Sequence, residues 1–377
     1  MKKKYDVAAY VWPSYTGNDP RAKLFWKEGY GEWQTVHNIQ QNSVGKPVDY
    51  VWNRKQLWGY VNEANPDVME MEINCAYRHG VNVFIYDWYW YDDRPFLENC
   101  LNEGYLKAKN NDLVKFYIMW ANHNADYMWN IDLSDEMVGE TIWRGDITFD
   151  IFKKLVRRWI EKYFVHPSYY KIEGKPVFSI YLIKKLLISF GGTEGTREAL
   201  EYFREEVKKA GFPGLHLQAI YNAFEGFDYD GSYGGTAGNL YELLGFDSVT
   251  HYNMGIQSQR NKDYAEIIKD HKAEYDRMEK TGMMYFPEVS VGWDSNPRYR
   301  KFKPYIMWNN TPENVKKAFQ QAKEYVDKHD ELPVPLVVIN SWNEWTETSY
   351  LQPDNVNGYD YLEALRDVFV EQNDVKD

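Results

Sequence analysis

The chain has 377 residues, 44 basic against 56 acidic side chains and a formal net charge of -12, so a nucleic-acid backbone or an anionic membrane, both of which reward a basic face, is not an expected partner. Two cysteines, Cys75 and Cys100, are too few for a disulfide framework, and the eight scattered histidines form no metal-ligand pattern, so neither metal nor cofactor is expected. No apolar run reaches the eighteen residues of a membrane span, and residues 5–12, which carry Asp6, are too short for the apolar core of a leader peptide. As written the chain reads as cytoplasmic, or as periplasmic or secreted if a leader has been removed.

In chain order, β-type apolar runs fall at 5–11, 81–87, 114–120, 176–182, 215–221, 247–252, 284–291 and 335–340. Helical periodicity fills the intervals at 66–79, 95–108, 149–164, 196–210, 239–244, 262–281, 312–329 and 359–370. Several of these segments start with Pro and stop at Gly, the usual asymmetry of helix ends. Alternation of eight strands with eight helices predicts parallel pairing and a single (β/α)8 TIM barrel over 1–377. A doubly wound open sheet is the competing architecture, but no Gly-x-Gly-x-x-Gly turn follows the first strand. Residues 13–65 form a long aromatic insertion after strand one, expected to cover part of the barrel mouth, with Trp33 and Trp58 either closing the site or packing the insertion.

Chemistry in such a barrel gathers at the carboxyl ends of the strands. There the chain places Tyr10 and Trp12, then Asp87 and Trp88, then Trp120, Asn122 and His123. Tyr181, Tyr221, His251 with Tyr252, Trp293, and Asn343 with the two glutamates follow at the remaining ends. Aromatic planes beside amides and carboxylates suit ligands with apolar CH faces and many hydroxyls, which describes sugars. The last end carries the most informative block, Asn340-Ser-Trp-Asn-Glu-Trp-Thr-Glu347, with Glu344 and Glu347 three residues apart among aromatics. A carboxylate pair with separated pKa values is the working part of glycosidic hydrolysis. The alternative reading is that these glutamates cap the following helix or pair with a base. Tyr10, Trp12, Asp87, Trp88, Trp120, Asn122, His123, Tyr181, Tyr221, Tyr252, Trp293 and Asn343 are the candidate substrate contacts around the catalytic candidates Glu344 and Glu347.

The chain resembles the glycoside hydrolase family 99-like proteins, including the WbsX-like group described as polysaccharide-biosynthesis proteins. The resemblance is carried by Ala9-Tyr-Val-Trp-Pro-Ser-Tyr15, Gly31-Glu-Trp33, Phe84-Ile-Tyr-Asp-Trp-Tyr-Trp90 and Met119-Trp-Ala-Asn-His123. Gly174-Lys-Pro-Val177, Gly292-Trp-Asp294 and the block ending at Glu347 continue it. It implies a (β/α)8 barrel and a retaining, endo-acting glycosidase on an α-mannoside-like or related polysaccharide. It further implies Glu344 as the base that assists the sugar 2-hydroxyl through a 1,2-anhydro intermediate, and Glu347 as the acid/base. Thr346 and Thr348 depart from the His and Gly of that family, and Gln352 stands where WbsX-like relatives carry an acid. Two other readings stand beside the hydrolase. One is a glycosyltransferase of polysaccharide assembly, for which Asp228-Tyr-Asp230 is the local metal-motif candidate; the other is an inactive sugar-binding protein.

Overall fold

A computed structural model describes residues 5–17, 19–39, 45–221, 237–254 and 261–370. Eight parallel strands form its centre: β1 (Asp6–Val11), β2 (Val83–Tyr91), β3 (Lys115–Trp120), β4 (Lys175–Ile180), β5 (His216–Ile220), β6 (Ser248–Thr250), β7 (Glu288–Ser290) and β8 (Leu336–Asn340). They pair in chain order from β1 to β6, while β8 lies between β1 and β7. The remaining gap is bridged by Val249 and Tyr285, where the Val249 N–H donates to the Met284 carbonyl at 2.9 Å and the Phe286 N–H to the Val249 carbonyl at 3.0 Å. The barrel is therefore nearly closed. Pro287 interrupts the seventh run by removing a ladder donor, so Tyr285 serves β6 while Glu288 starts the pairing with β8.

Each strand is buried along its length, as a barrel filled by side chains inside and wrapped by helices outside requires. The longer helices are α1 (Pro66–Arg78), α2 (Phe149–Trp159), α3 (Ile183–Phe190), α4 (Thr193–Lys209), α5 (Ala237–Leu243), α6 (Tyr264–Glu279), α7 (Pro312–Lys328) and α8 (Asp360–Phe369), with single turns at Trp33–His37 and Ser134–Met137. Their starts follow from local chemistry: Asn65, Thr148, Asp263 and Thr311 each accept a backbone N–H from the first turn.

Two segments differ from expectation. The region 95–108 is not one helix. Strand β2 runs on to Tyr91 and folds back onto Arg94–Phe96, and a wide π turn (Cys100–Gly104) and a 3-10 turn (Tyr105–Lys107) follow. Gly104 lies so close to the insertion that a Cβ there would come within 2.1 Å of the Glu63 carbonyl oxygen, so packing overrides the helical periodicity. Helix α3 was not foreseen, because its apolar start, Ile183, continues the run of β4 with no turn signal between them.

The insertion packs onto the carboxyl-end face of the barrel. Tyr15, Trp26, Trp33 and Trp52 are buried there, and Trp33 lies against Tyr15 and Trp345. Trp58 donates to the Tyr359 hydroxyl at 2.9 Å. Both cysteines are free thiols. No helix among the described residues is long and apolar enough to cross a membrane.

Candidate active site

Past Asn340 the chain forms a tight ribbon in which Asn343 and Glu344 pair antiparallel with Tyr350 and Ser349. The 3-10 turn Trp345–Glu347 joins the two arms, and Thr348 closes it at φ +57°. The Trp345 ring stacks on Tyr350 with centroids 3.8 Å apart, its indole N–H donates to Gln352 at 2.7 Å, and its backbone N–H donates to the Tyr15 hydroxyl. A turn held this rigidly fixes where the two carboxyls point. Neither glutamate caps a helix, since the next one starts at Asp360.

Both do meet a base. Arg298, buried and carried on a short turn after β7, donates one Nη to Glu344 Oε1 and the other to Glu347 Oε1. Its Nε donates to the Thr346 hydroxyl at 2.8 Å, and that hydroxyl donates in turn to Glu32 Oε1 at 2.9 Å. Glu32 also lies 3.6 Å from the guanidinium and accepts from the Trp12 indole and from Ser14. Three buried carboxylates from two distant segments thus share one cation. Burial and the charge of Glu347 push Glu344 well above the ordinary carboxylate range, with Arg298 opposing. Burial also raises Glu347, again against Arg298.

Around this cluster opens a cleft with about 390 Å³ of space, its open mouth included. Of the residues chosen from sequence, Trp12, Asp87, His123, Tyr181, Tyr252, Glu344 and Glu347 line it. Burial raises Asp87 well above its usual pKa, with the Tyr252 hydrogen bond opposing. Burial lowers His123, whose Nδ1 sits 2.7 Å from the Asn124 carbonyl; an N–H is therefore required at Nδ1, which leaves Nε2 an acceptor in the neutral ring.

The other chosen side chains lie elsewhere. Trp88 and Trp120 point outward to the helix layer, where Trp88 donates to Glu98 at 2.8 Å and both rings meet Trp159. Tyr10 donates to the His251 carbonyl, and Asn122 spends its amide on the Leu182 backbone. Tyr221 packs on Tyr241 and under Arg277, and Trp293 is a half-buried ring against the core. His251 is buried between Glu274 and Tyr285. Asn343 clamps the Trp12 backbone in both directions and donates to Glu63 at 3.0 Å, so it positions the turn from below. Asp228-Tyr-Asp230 lies outside the described residues.

Sequence reasoning missed Tyr89, Met119, Ala121, Met128, Trp129 and Arg298, all of which line the cleft, and Glu32 behind it. For three of them the signal was available. Side chains alternate along a strand, so Asp87 in the barrel implies Tyr89, and His123 implies Ala121 and Met119. Arg298 and Glu32 carried no such signal.

Beneath the ribbon lies a second acidic pair. Glu63 accepts from Asn343, Cys100 and Gln352; Glu72 Oε2 accepts from the Trp342 indole at 2.8 Å and from Gln352 at 3.0 Å. No cation adjoins either in these bonds. Burial, reinforced by the neighbouring acid, raises Glu63 well above its usual pKa, and burial raises Glu72 to about 7. Gln352 therefore stands where its amide N–H group can serve two carboxyls, and an acid there would add a third. Among the described residues no group of three His, Cys, Asp or Glu side chains is placed to hold a metal ion.

A nearly closed parallel barrel with a carboxylate pair on the turn after its last strand defines a protein of the (β/α)8 class. The chain belongs to the family described as glycosyltransferase WbsX, whose sequence model matches residues 7–365. It is similar to the protein described as uncharacterized protein WxcX of Xanthomonas campestris pv. campestris, with 22% identity over 373 residues. That alignment covers 94% of this chain and 48% of WxcX, so the chain spans about half the length of the curated relatives it matches. Among solved structures it is similar to the GH99 endo-alpha-mannosidase from Bacteroides thetaiotaomicron, with a TM-score of 0.58, 13% identity and coverage of 98% of this chain and 97% of that one. A second, described as a glycoside hydrolase-like protein, gives a TM-score of 0.59 at 15% identity, covering 98% and 94%. At these identities the likeness is one of fold.

Proposed function

We propose that the chain is a retaining, endo-acting glycoside hydrolase that cleaves a polysaccharide with Glu344 and Glu347. The observation that carries this reading is the disposition of the two carboxyls. One guanidinium holds an oxygen of each, while Glu347 Oε2 is buried without a partner on the wall of an aromatic cleft. An orphaned carboxyl oxygen at such a wall is suited to hold a proton for a departing glycosidic oxygen. Burial favours that protonated form. Glu344, bound to Arg298 through one oxygen and approached by the Tyr252 hydroxyl through the other, takes the role of base toward the sugar 2-hydroxyl. Two carboxyls bound by one guanidinium are close neighbours, the arrangement expected of retention rather than inversion. The likeness to a mannoside-cleaving barrel supports an α-mannoside-like substrate.

The family's description favours a second reading, transfer in polysaccharide assembly. A nucleotide-diphosphate donor would set its phosphates against ionised Glu344 and the buried acids around it, where Arg298 is already engaged by Glu32, Glu344 and Glu347. Transfer from a nucleotide-free glycan by the same glutamates meets no such repulsion.

The test incubates wild type and Glu347→Gln with α-mannans and other polysaccharides, without nucleotide sugars, and sizes what is released. Oligosaccharides released by wild type alone are the expected result. No release from any glycan, with turnover once a nucleotide sugar and a divalent metal are added, would overturn the hydrolase.

A further inference from the structure

The Tyr252 hydroxyl, just past β6, lies 3.1 Å from Asp87 Oδ2 and 3.3 Å from Glu344 Oε2. A phenol has one hydrogen and donates to one acceptor at a time. If both carboxyls were ionised, one of them would face only lone pairs on the phenolic oxygen. Both contacts are hydrogen bonds together only when one carboxyl carries a proton and donates it to Tyr252 Oη. The two acids differ in what holds their other oxygen. Glu344 Oε1 accepts from the Arg298 guanidinium, whereas Asp87 Oδ1 is buried with no partner. An unpartnered oxygen is far less costly on a neutral acid than on a carboxylate.

We propose that Asp87 is a neutral acid in the resting protein, donating to Tyr252, which donates to Glu344, so that Asp87 acts as a positioning residue that aims a hydrogen bond at the base. That role rests on the reading of Glu344 as base; the protonation of Asp87 does not. Burial acts in the same direction, and the phenols of Tyr10, Tyr89 and Tyr252 bring no positive charge. Arg298 is the cation of the cleft, and its bonds go to the glutamates and Thr346. Because the proton stays on Asp87, Glu344 is the group left free to accept one from the sugar.

Two readouts test this. Infrared difference spectra of wild type minus Asp87→Asn near neutral pH, without any glycan, should show the carbonyl stretch of one protonated carboxyl lost. Its absence would mean that Asp87 is ionised and would overturn the proposal even if the enzyme cleaves glycans. With a cleaved glycan in hand, Asp87→Asn, whose amide can still donate to Tyr252, should keep most of the kcat. Asp87→Ala should lose at least about tenfold, the scale of one hydrogen bond to a charged group. Tyr252→Phe should move the acid limb of the kcat/KM profile to higher pH, because ionised Glu344 loses a donor. An Asn variant as inactive as the Ala variant would overturn the positioning role. A chain that shows the infrared loss and cleaves nothing would instead refute the hydrolase alone.

Discussion

Glu72 offers a stability experiment whose sign and size follow from its surroundings. Its carboxyl is fully enclosed beneath the ribbon, takes two hydrogen bonds on Oε2, and has none on Oε1. Burial lifts it from an ordinary 4.5 to about 7. A carboxyl with a raised folded pKa binds its proton more tightly when folded. Its stabilising contribution is therefore complete below about 4.5, declines as the pH rises, and is gone above about 7. A shift of this size corresponds to about 3 kcal/mol in all, of which roughly 2 to 3 kcal/mol falls between pH 5 and pH 8. Glu72→Gln resembles the protonated acid and does not titrate. In denaturant unfolding at both pH values, wild type should lose about 2 to 3 kcal/mol relative to the variant. Groups that do not interact with Glu72 cancel, and Glu63, held well above its usual pKa mainly by its own burial, stays raised in both. The variant should be the more stable protein at pH 8. Stability curves that stay parallel between pH 5 and pH 8 would show that Glu72 does not titrate in this window and would refute the reasoning.

Other perturbations have equally definite outcomes. Arg298→Met leaves Glu32, Glu344 and Glu347 without their cation and should cost about 3 to 5 kcal/mol at pH 7. The loss should be smaller at pH 5, where Glu344 and Glu347, both raised by burial, take protons more readily, and thermal melts at the two pH values measure the difference. Gly31 has φ +65°, and a Cβ there would lie 1.9 Å from the Ser14 carbonyl oxygen. Gly31→Ala should therefore shift Glu32, lower stability by more than about 1 kcal/mol and reduce turnover, read by melting and by product release. Trp88→Phe removes the indole bond to Glu98 on the outer face, so stability should drop by about 1 to 2 kcal/mol with no change in KM. Trp12→Phe, on the cleft wall, should raise KM.

The barrel was legible because its eight strands are apolar runs bounded by turn residues, a signal that neighbouring structure rarely overrides. What escaped were features set by contacts between remote segments. The close approach of Gly104 to Glu63 breaks the expected second helix, and no local pattern announces it. At the strand ends, adjacent letters were read as one cluster although a strand sends them to opposite sides. That is why Trp88 and Trp120 face helices while Tyr89 and Met119 face the cleft. The need for a cation beside two buried glutamates could be inferred, but not that it would be Arg298, 46 residues before Glu344. The pair Glu344 and Glu347 stood out because both sit in one short aromatic block.

Glu32 comes to the back of the cleft on the insertion, while its partners Arg298 and Thr346 belong to the loops after β7 and β8. The electrostatic balance of the site is therefore not a property of the barrel alone. A chain that opened only at the insertion would keep its eight paired strands and would look folded to any probe of secondary structure. It would still have lost one of the three acids around Arg298 and the acceptor that fixes the Trp12 indole. Wherever heat opens the insertion before the barrel, inactivation runs ahead of the loss of secondary structure.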